Sequence, residues 1–199
     1  GTGEAEVRCF SVFNGKLYAG TQPNGKVYSS PDGSSWTPVL SLTGETYVHS
    51  LSVFNGKLYA GTLPNGKVYS TADGTSWTPV LSGTGESAIV SLSAFNGKLY
   101  AGTSPSGKVY STADGASWTP VLSGTGESVI RSLSAFNGKL YAGTQPNGKV
   151  YSTSDGVNWT PVLSGTGETE IHSFSAFNGK LYAGTFPNAR VYSTSDGAN

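Results

Sequence analysis

Four stretches of the chain bring a hydroxyl, a carboxylate and an indole together within seven residues: Ser30, Asp32 and Trp36; Thr71, Asp73 and Trp77; Thr112, Asp114 and Trp118; Thr153, Asp155 and Trp159. A carboxylate beside an aromatic face is chemistry that suits a sugar ring, which offers hydroxyls to accept from and a flat apolar side to stack. The same residues also make a self-contained turn. The Asp caps its own turn's amides, the Gly after it supplies positive φ, and the Trp packs between sheets. A fifth copy, Thr194 to Gly197, reaches the end of the chain before its Trp.

Other reactive groups are sparse or spread out. His49 and His172 occupy equivalent places in two copies of a repeat, and two ligands do not make a zinc site; channel-lining side chains are the simpler reading. Cys9 stands where the sister copies have Ser50, Ser91, Ser132 and Ser173, so it reads as a small buried residue, and a single cysteine forms no internal disulfide. The tyrosines of Leu-Tyr and Val-Tyr, such as Tyr18 and Tyr28, alternate like strand core, where burying a large side chain contributes roughly 1.5–3 kcal/mol. Catalysis needs unlike groups converging on one point. Identical Asp, Glu, Lys and Tyr distributed around a circle do not meet that need, so the chain is expected not to be an enzyme and to use no cofactor.

These groups are positioned by a repeat. Phe-Asn-Gly-Lys begins at Phe13, Phe54, Phe95, Phe136 and Phe177, every 41 residues, and no linker or change of composition separates the copies. Repeats start near 1, 42, 83, 124 and 165 of a single domain, 1–199. Each copy has the periodicity of strands. In the third, Ala88–Phe95 is apolar and β-branched, and Asn96-Gly97 suits a type I′ turn. Lys98–Thr103 follows, then the turn Pro105-Ser106-Gly107, the strand Lys108–Thr112, the turn Asp114-Gly115 and the strand Trp118–Ser123. Pro120 removes a donor from that last strand and places it at a sheet edge.

Four short antiparallel strands every 41 residues predict an all-β chain, a five-bladed β-propeller. The first strand of each blade should line a central channel and the proline strand the outer rim, with the circle leaving no end blade exposed. A linear solenoid would need distinct end caps, and none is visible. The chain stops six residues short of five full repeats, and the missing piece corresponds to Trp-Thr-Pro-Val-Leu-Ser. The last blade is therefore expected to lack its outer strand. That leaves the 190–195 edge unpaired and open to self-association.

The Ser30-Pro-Asp-Gly-Ser-Ser-Trp36 stretch and its copies resemble the Asp-box of sialidases and other propellers, one residue shorter than usual, with Gly directly after Asp. In those proteins the motif is a structural turn. A sialidase would need an arginine cluster, whereas Arg8 and Arg131 sit at equivalent positions of different copies and Arg190 replaces a turn lysine. The order of parts (apolar inner strand, Asn-Gly, Leu-Tyr, turn, Val-Tyr, Asp…Trp) is similar to that of five-bladed tachylectin-type lectins. That resemblance implies one amino-sugar site per blade junction, at Asp32 and Trp36, Asp73 and Trp77, Asp114 and Trp118, and Asp155 and Trp159, with small sugars or glycans as partners.

Twelve basic residues balance twelve acidic ones. Without a net field or a basic face, neither nucleic acid nor an anionic membrane is an expected partner. No apolar run approaches the ~20 residues of a membrane span. The chain has no Met, and beginning at Gly1 it reads as processed, trimmed or engineered. Near-identical copies, with turn chemistry that agrees throughout with one fold, point to a symmetric scaffold that was designed, reconstructed or recently amplified. Against that uniformity three sets vary: Glu6/Tyr47/Ala88/Val129/Glu170, Arg8/His49/Val90/Arg131/His172, and Gln22/Leu63/Ser104/Gln145/Phe186. The first two lie two residues apart, hence on one face of a strand. They read either as a diversified ligand surface near the channel mouth or as exposed positions free to drift or be randomised; the tolerance of exposed sites favours drift.

Overall fold

Asn and Gly at the first turn of every copy adopt positive φ together, Asn96 at 47° and Gly97 at 71° in the third. That is the backbone of a type I′ hairpin, whose twist matches the strands it joins. The computed structural model describes residues 2–42 and 44–197. Gly1, Thr43, Ala198 and Asn199 lie outside the described residues, the last two being the end of the incomplete fifth copy.

Blade one consists of β1 (Glu6–Phe13), β2 (Lys16–Gln22), β3 (Lys26–Ser30) and β4 (Thr37–Ser41). Blade two has β5 (Tyr47–Phe54), β6 (Lys57–Leu63), β7 (Val68–Thr71) and β8 (Thr78–Leu81), and blade three β9 (Ala88–Phe95), β10 (Lys98–Ser104), β11 (Val109–Thr112) and β12 (Thr119–Leu122). Blade four has β13 (Val129–Phe136), β14 (Lys139–Gln145), β15 (Val150–Thr153) and β16 (Thr160–Leu163). Blade five has β17 (Glu170–Phe177), β18 (Lys180–Phe186) and β19 (Val191–Thr194), with no fourth strand among the described residues.

Each sheet is antiparallel and hydrogen-bonded in chain order. Successive inner strands pack side by side, β1 on β5, β5 on β9, β9 on β13 and β13 on β17. Pro38, Pro79, Pro120 and Pro161 all fall on outer-edge strands, where a missing donor breaks no ladder. No helix occurs among the described residues, and none is long and apolar enough to cross a membrane.

The junctions between blades repeat as closely as the blades. Between blades one and two, Phe13, Tyr18 and Val27 meet Val48, Leu58 and Ala60, with Trp77 packed against the cluster. Tyr18 reaches across to Gly74, in the turn after β7, leaving no room there for a Cβ; Tyr59 does the same at Gly115, Tyr100 at Gly156 and Tyr141 at Gly197. Gly25, Gly66, Gly107 and Gly148 donate to Thr46, Ser87, Ser128 and Thr169 of the next blade at 2.9–3.0 Å. Cys9 does the work of its serine counterparts. Its Sγ donates to the Val48 carbonyl at 3.6 Å, as Ser91 and Ser132 donate to Ile130 and Ile171. Burial pushes its thiol up to about 12.

The expectation that no end blade is exposed needs correction. Val7 is 52 % exposed, whereas its counterparts Val48, Ile89, Ile130 and Ile171 are 0 % exposed. On the far face of blade five Val191 is 71 % exposed, against 0 % for Val27, Val68 and Val109. Gly33, which would receive Tyr182, has nothing within 4 Å of a Cβ position. Ala189 supplies a physical reason, since it replaces the junction glycine at positive φ (52°). At Gly25, Gly66, Gly107 and Gly148 a Cβ would run into the next blade's Glu45, Glu86, Glu127 or Glu168 carbonyl. A fifth junction of the same geometry therefore meets a steric block.

Candidate functional site

The cross-strand register brings the three variable sets together. Glu6 pairs with Gln22, Tyr47 with Leu63, Ala88 with Ser104, Val129 with Gln145 and Glu170 with Phe186. All lie at the end of the inner hairpin farthest from its Asn-Gly turn. The second set falls between register shifts in every blade: Arg8, His49, Val90, Arg131 and His172 are each the extra residue of a β-bulge. A bulge breaks the alternation on which the one-face expectation rested and re-aims a side chain. Here it still sets the two groups against each other.

Tyr47 and His49 stack at 5.4 Å and 8°, and the Arg8 guanidinium lies 5.6 Å over the Tyr47 ring. Arg8 donates to Gln22 Oε1 at 3.0 Å and pairs with Glu6 at 3.2 Å. On the other side Glu170 accepts from Arg131 Nε at 3.1 Å and lies 2.8 Å from His172 Nε2, while His172 meets Phe186 edge-on. Burial holds the His49 pKa below its ordinary value, and the charges of Arg8 on blade one and Arg131 on blade four add to that. Direct contacts between variable residues of different blades join blades one and two, through Arg8 and Tyr47, and blades four and five, through Arg131 and Glu170. Their exposure differs: Ala88 (1 %), Gln22 (8 %) and Glu170 (9 %) are buried, whereas Glu6, Arg8, His172 and Phe186 are exposed.

The Asp and Trp residues lie elsewhere, on the outer turns and junctions. Asp73 Oδ1 accepts from Thr71 Oγ1 at 2.9 Å and from the amides of Thr75 and Ser76, each at 2.7 Å. Asp32, Asp114 and Asp155 repeat the arrangement. These bonds, led by the backbone amides, hold all four carboxyls well below the usual carboxylate range. Trp77, Trp118 and Trp159 are half-buried against the cluster that joins their blade to the preceding one, while Trp36 lies beside Phe10 at 6.4 Å. Shallow polar depressions of about 240 and 260 Å³ lie beside Asp73 and Asp114, bordered by Lys57 and Lys98.

One recurring element was not singled out from sequence. Glu45, Glu127 and Glu168 are buried, accept from Asn65, Asn147 and Asn188 and form ion pairs with Lys67, Lys149 and Arg190; Glu86 keeps Lys108 but has Ser106 in place of the Asn. Burial would raise the Glu127 carboxyl, but the bonds from Asn147 and Lys149 outweigh it and hold the pKa down. Glu at one position with Asn-x-Lys 20 residues on, repeated at a fixed period, was the available signal. Among the described residues no three of His, Cys, Asp and Glu gather as a metal site would require.

Five successive antiparallel blades around converging inner strands define a β-propeller, the last blade having three strands. Residues 94–199 match the DUF6242 beta propeller domain, and the chain belongs to that family. No curated protein matches it.

Proposed function

We propose that the chain is a non-catalytic propeller scaffold, designed or recently amplified from one blade, whose recognition surface is the channel mouth. The observation that carries this reading is the coincidence of variation and place. The side chains that differ between otherwise equivalent blades are cross-strand partners and bulge residues at one end of the channel. Aromatic, cationic, anionic and amide groups meet there, the mixture that small polar ligands need. Elsewhere the same residues recur in every blade, which supports a frame rather than an active site. Combined replacement of Arg8, His49, Arg131 and His172 by Val, the blade-three residue, tests it on a glycan and peptide array. Ligands of the parent should be lost while the variant stays folded, with some loss of thermal stability because Glu170 loses its Arg131 partner; retention would overturn the proposal.

A lectin is the second reading, favoured by the matching depressions beside Asp73 and Asp114 and by the resemblance to Asp-box and tachylectin-type propellers. Several weak equivalent sites would then act through avidity. Titration with N-acetylglucosamine followed by NMR separates the two. Saturable shifts at several outer turns support the lectin, and none at millimolar sugar removes it.

A further inference from the structure

Asn-Gly pairs occur at two places in the repeat. Asn14, Asn55, Asn96, Asn137 and Asn178 stand in the hairpin turns between first and second strands, and Asn24, Asn65 and Asn147 in the turns between second and third. Such a pair holds both groups of an intramolecular reaction. The Gly amide nitrogen can close on the side-chain carbonyl carbon of the Asn before it, making a five-membered succinimide, and the absent Gly side chain leaves the approach open. The fold treats the two places differently.

Between second and third strands both groups are held. Gly66 N donates to the Ser87 carbonyl of the next blade at 2.9 Å, while Asn65 Nδ2 donates to the Gly44 carbonyl at 2.8 Å and to Glu45 Oε1 at 3.1 Å. Gly148 N donates to the Thr169 carbonyl and Asn147 Nδ2 to Glu127 Oε1, each at 3.0 Å. A peptide N–H that is donating resists deprotonation, and a bonded carboxamide does not turn its carbon toward that nitrogen. In the hairpin turns of blades three to five neither restraint operates. Asn96, Asn137 and Asn178 are exposed, and their carboxamides and the amides of Gly97, Gly138 and Gly179 bond to no acceptor among the described residues. A Cβ on any of these glycines would meet nothing within 4 Å. Asn14 and Asn55 are intermediate, their Nδ2 atoms donating to the Ala72 and Ala113 carbonyls of the next blade at 3.4 and 3.3 Å.

We infer that Asn96, Asn137 and Asn178 are sites of spontaneous, backbone-assisted deamidation, from which the inter-blade bonds shield Asn65 and Asn147. The Gly nitrogen bonds to Asn Cγ as the Cγ–Nδ2 bond breaks, and the Gly amide proton leaves with Nδ2 as ammonia. Water then opens the succinimide. Cleavage of the nitrogen from Cγ gives Asp, and cleavage from the main-chain carbonyl carbon gives iso-aspartate. Asp keeps the positive φ that the turn needs. Iso-aspartate adds a methylene to the main chain of a two-residue turn whose length sets the strand register. Either product places one new negative charge beside Lys98, Lys139 or Lys180.

The test is to age the 199-residue chain at mildly alkaline pH, folded and in urea, and to follow conversion by tryptic peptide mass spectrometry. Peptide 68–98 reports Asn96, 58–67 reports Asn65 and 27–57 reports Asn55. In the folded chain Asn96 should convert at least tenfold faster than Asn65, with Asn55 between them. In urea the three rates should converge, because the protection belongs to the fold. Anion exchange should resolve the folded products in steps of one charge, and Asn96→Ser should slow the appearance of the first. Equal rates at Asn65 and Asn96 in the folded chain, a faster rate at Asn65, or an Asn96 that stays intact when folded while the urea sample converts would overturn the inference.

Discussion

Gly115→Ala probes the junction most sharply, because two separable costs meet at one atom. Gly115 has φ +79°, and a Cβ there would land on the Tyr59 hydroxyl. The left-handed backbone costs an L-residue about 1–2 kcal/mol, and forcing an atom into a packed junction costs about 1–3 kcal/mol more. Gly97→Ala is the control, since φ is similar, +71°, and nothing lies within 4 Å of its Cβ. The expected loss is about 2–5 kcal/mol at Gly115 and about 1–2 at Gly97. With an m-value of about 2–3 kcal/mol/M, the first is a fall of about 1–2 M in urea midpoint. Adding Tyr59→Phe removes the colliding oxygen and leaves ring Cζ at 3.0 Å. The double variant should therefore recover much of the difference. Equal losses at Gly115 and Gly97, or no recovery with Tyr59→Phe, would refute the reading of Tyr59 as an inter-blade latch.

Other outcomes follow from the same geometry. Because the folded pKa of Asp114 is depressed, its stabilisation is present above the unfolded value near 3.8 and is lost as pH falls; Asp114→Asn should flatten the acid limb of a denaturation series. The folded pKa of His49 is also depressed, so protonation opposes folding. Stability should fall as pH drops through about 6.5, and the NMR titration midpoint of His49 should move up in Arg8→Val. Cys9, with its thiol pushed up to about 12, should resist iodoacetamide at pH 8 in the folded chain, and Cys9→Ser should leave the chain folded, its hydroxyl taking over the bond to the Val48 carbonyl. If the exposed faces around Val7 and Val191 associate between chains, Ala189→Gly removes the steric block and should raise the sedimentation coefficient at a given concentration.

Much of the frame was legible because it is local. Asn-Gly turns, alternating strands and the edge prolines each have a signature a few residues long, and repetition multiplies it five times. The three-stranded fifth sheet followed from the repeat length alone. The bulge at Arg8, His49, Val90, Arg131 and His172 was not legible, since an extra residue leaves the alternating pattern of Glu6 to Val12 unmarked. The Tyr59–Gly115 latch and the Glu127–Asn147–Lys149 network join residues on different turns, so only the fold reveals them. Polar type matched exposure at Glu6, Arg8 and His172 and failed at Gln22 and Glu170. Gln22 and Glu170 are polar and buried, satisfied by Arg8 and Arg131.

The central claim, that recognition resides in the differences between blades, is tested most directly by comparing parent and the Arg8→Val, His49→Val, Arg131→Val, His172→Val variant on one glycan and peptide array, with thermal unfolding in parallel. The account predicts that the parent binds with one site per chain, that the variant binds nothing the parent binds, and that both are folded and unfold cooperatively, the variant at a lower temperature because Glu170 loses its Arg131 partner. Binding that survives in the variant, or that saturates with several ligands per chain, would contradict it.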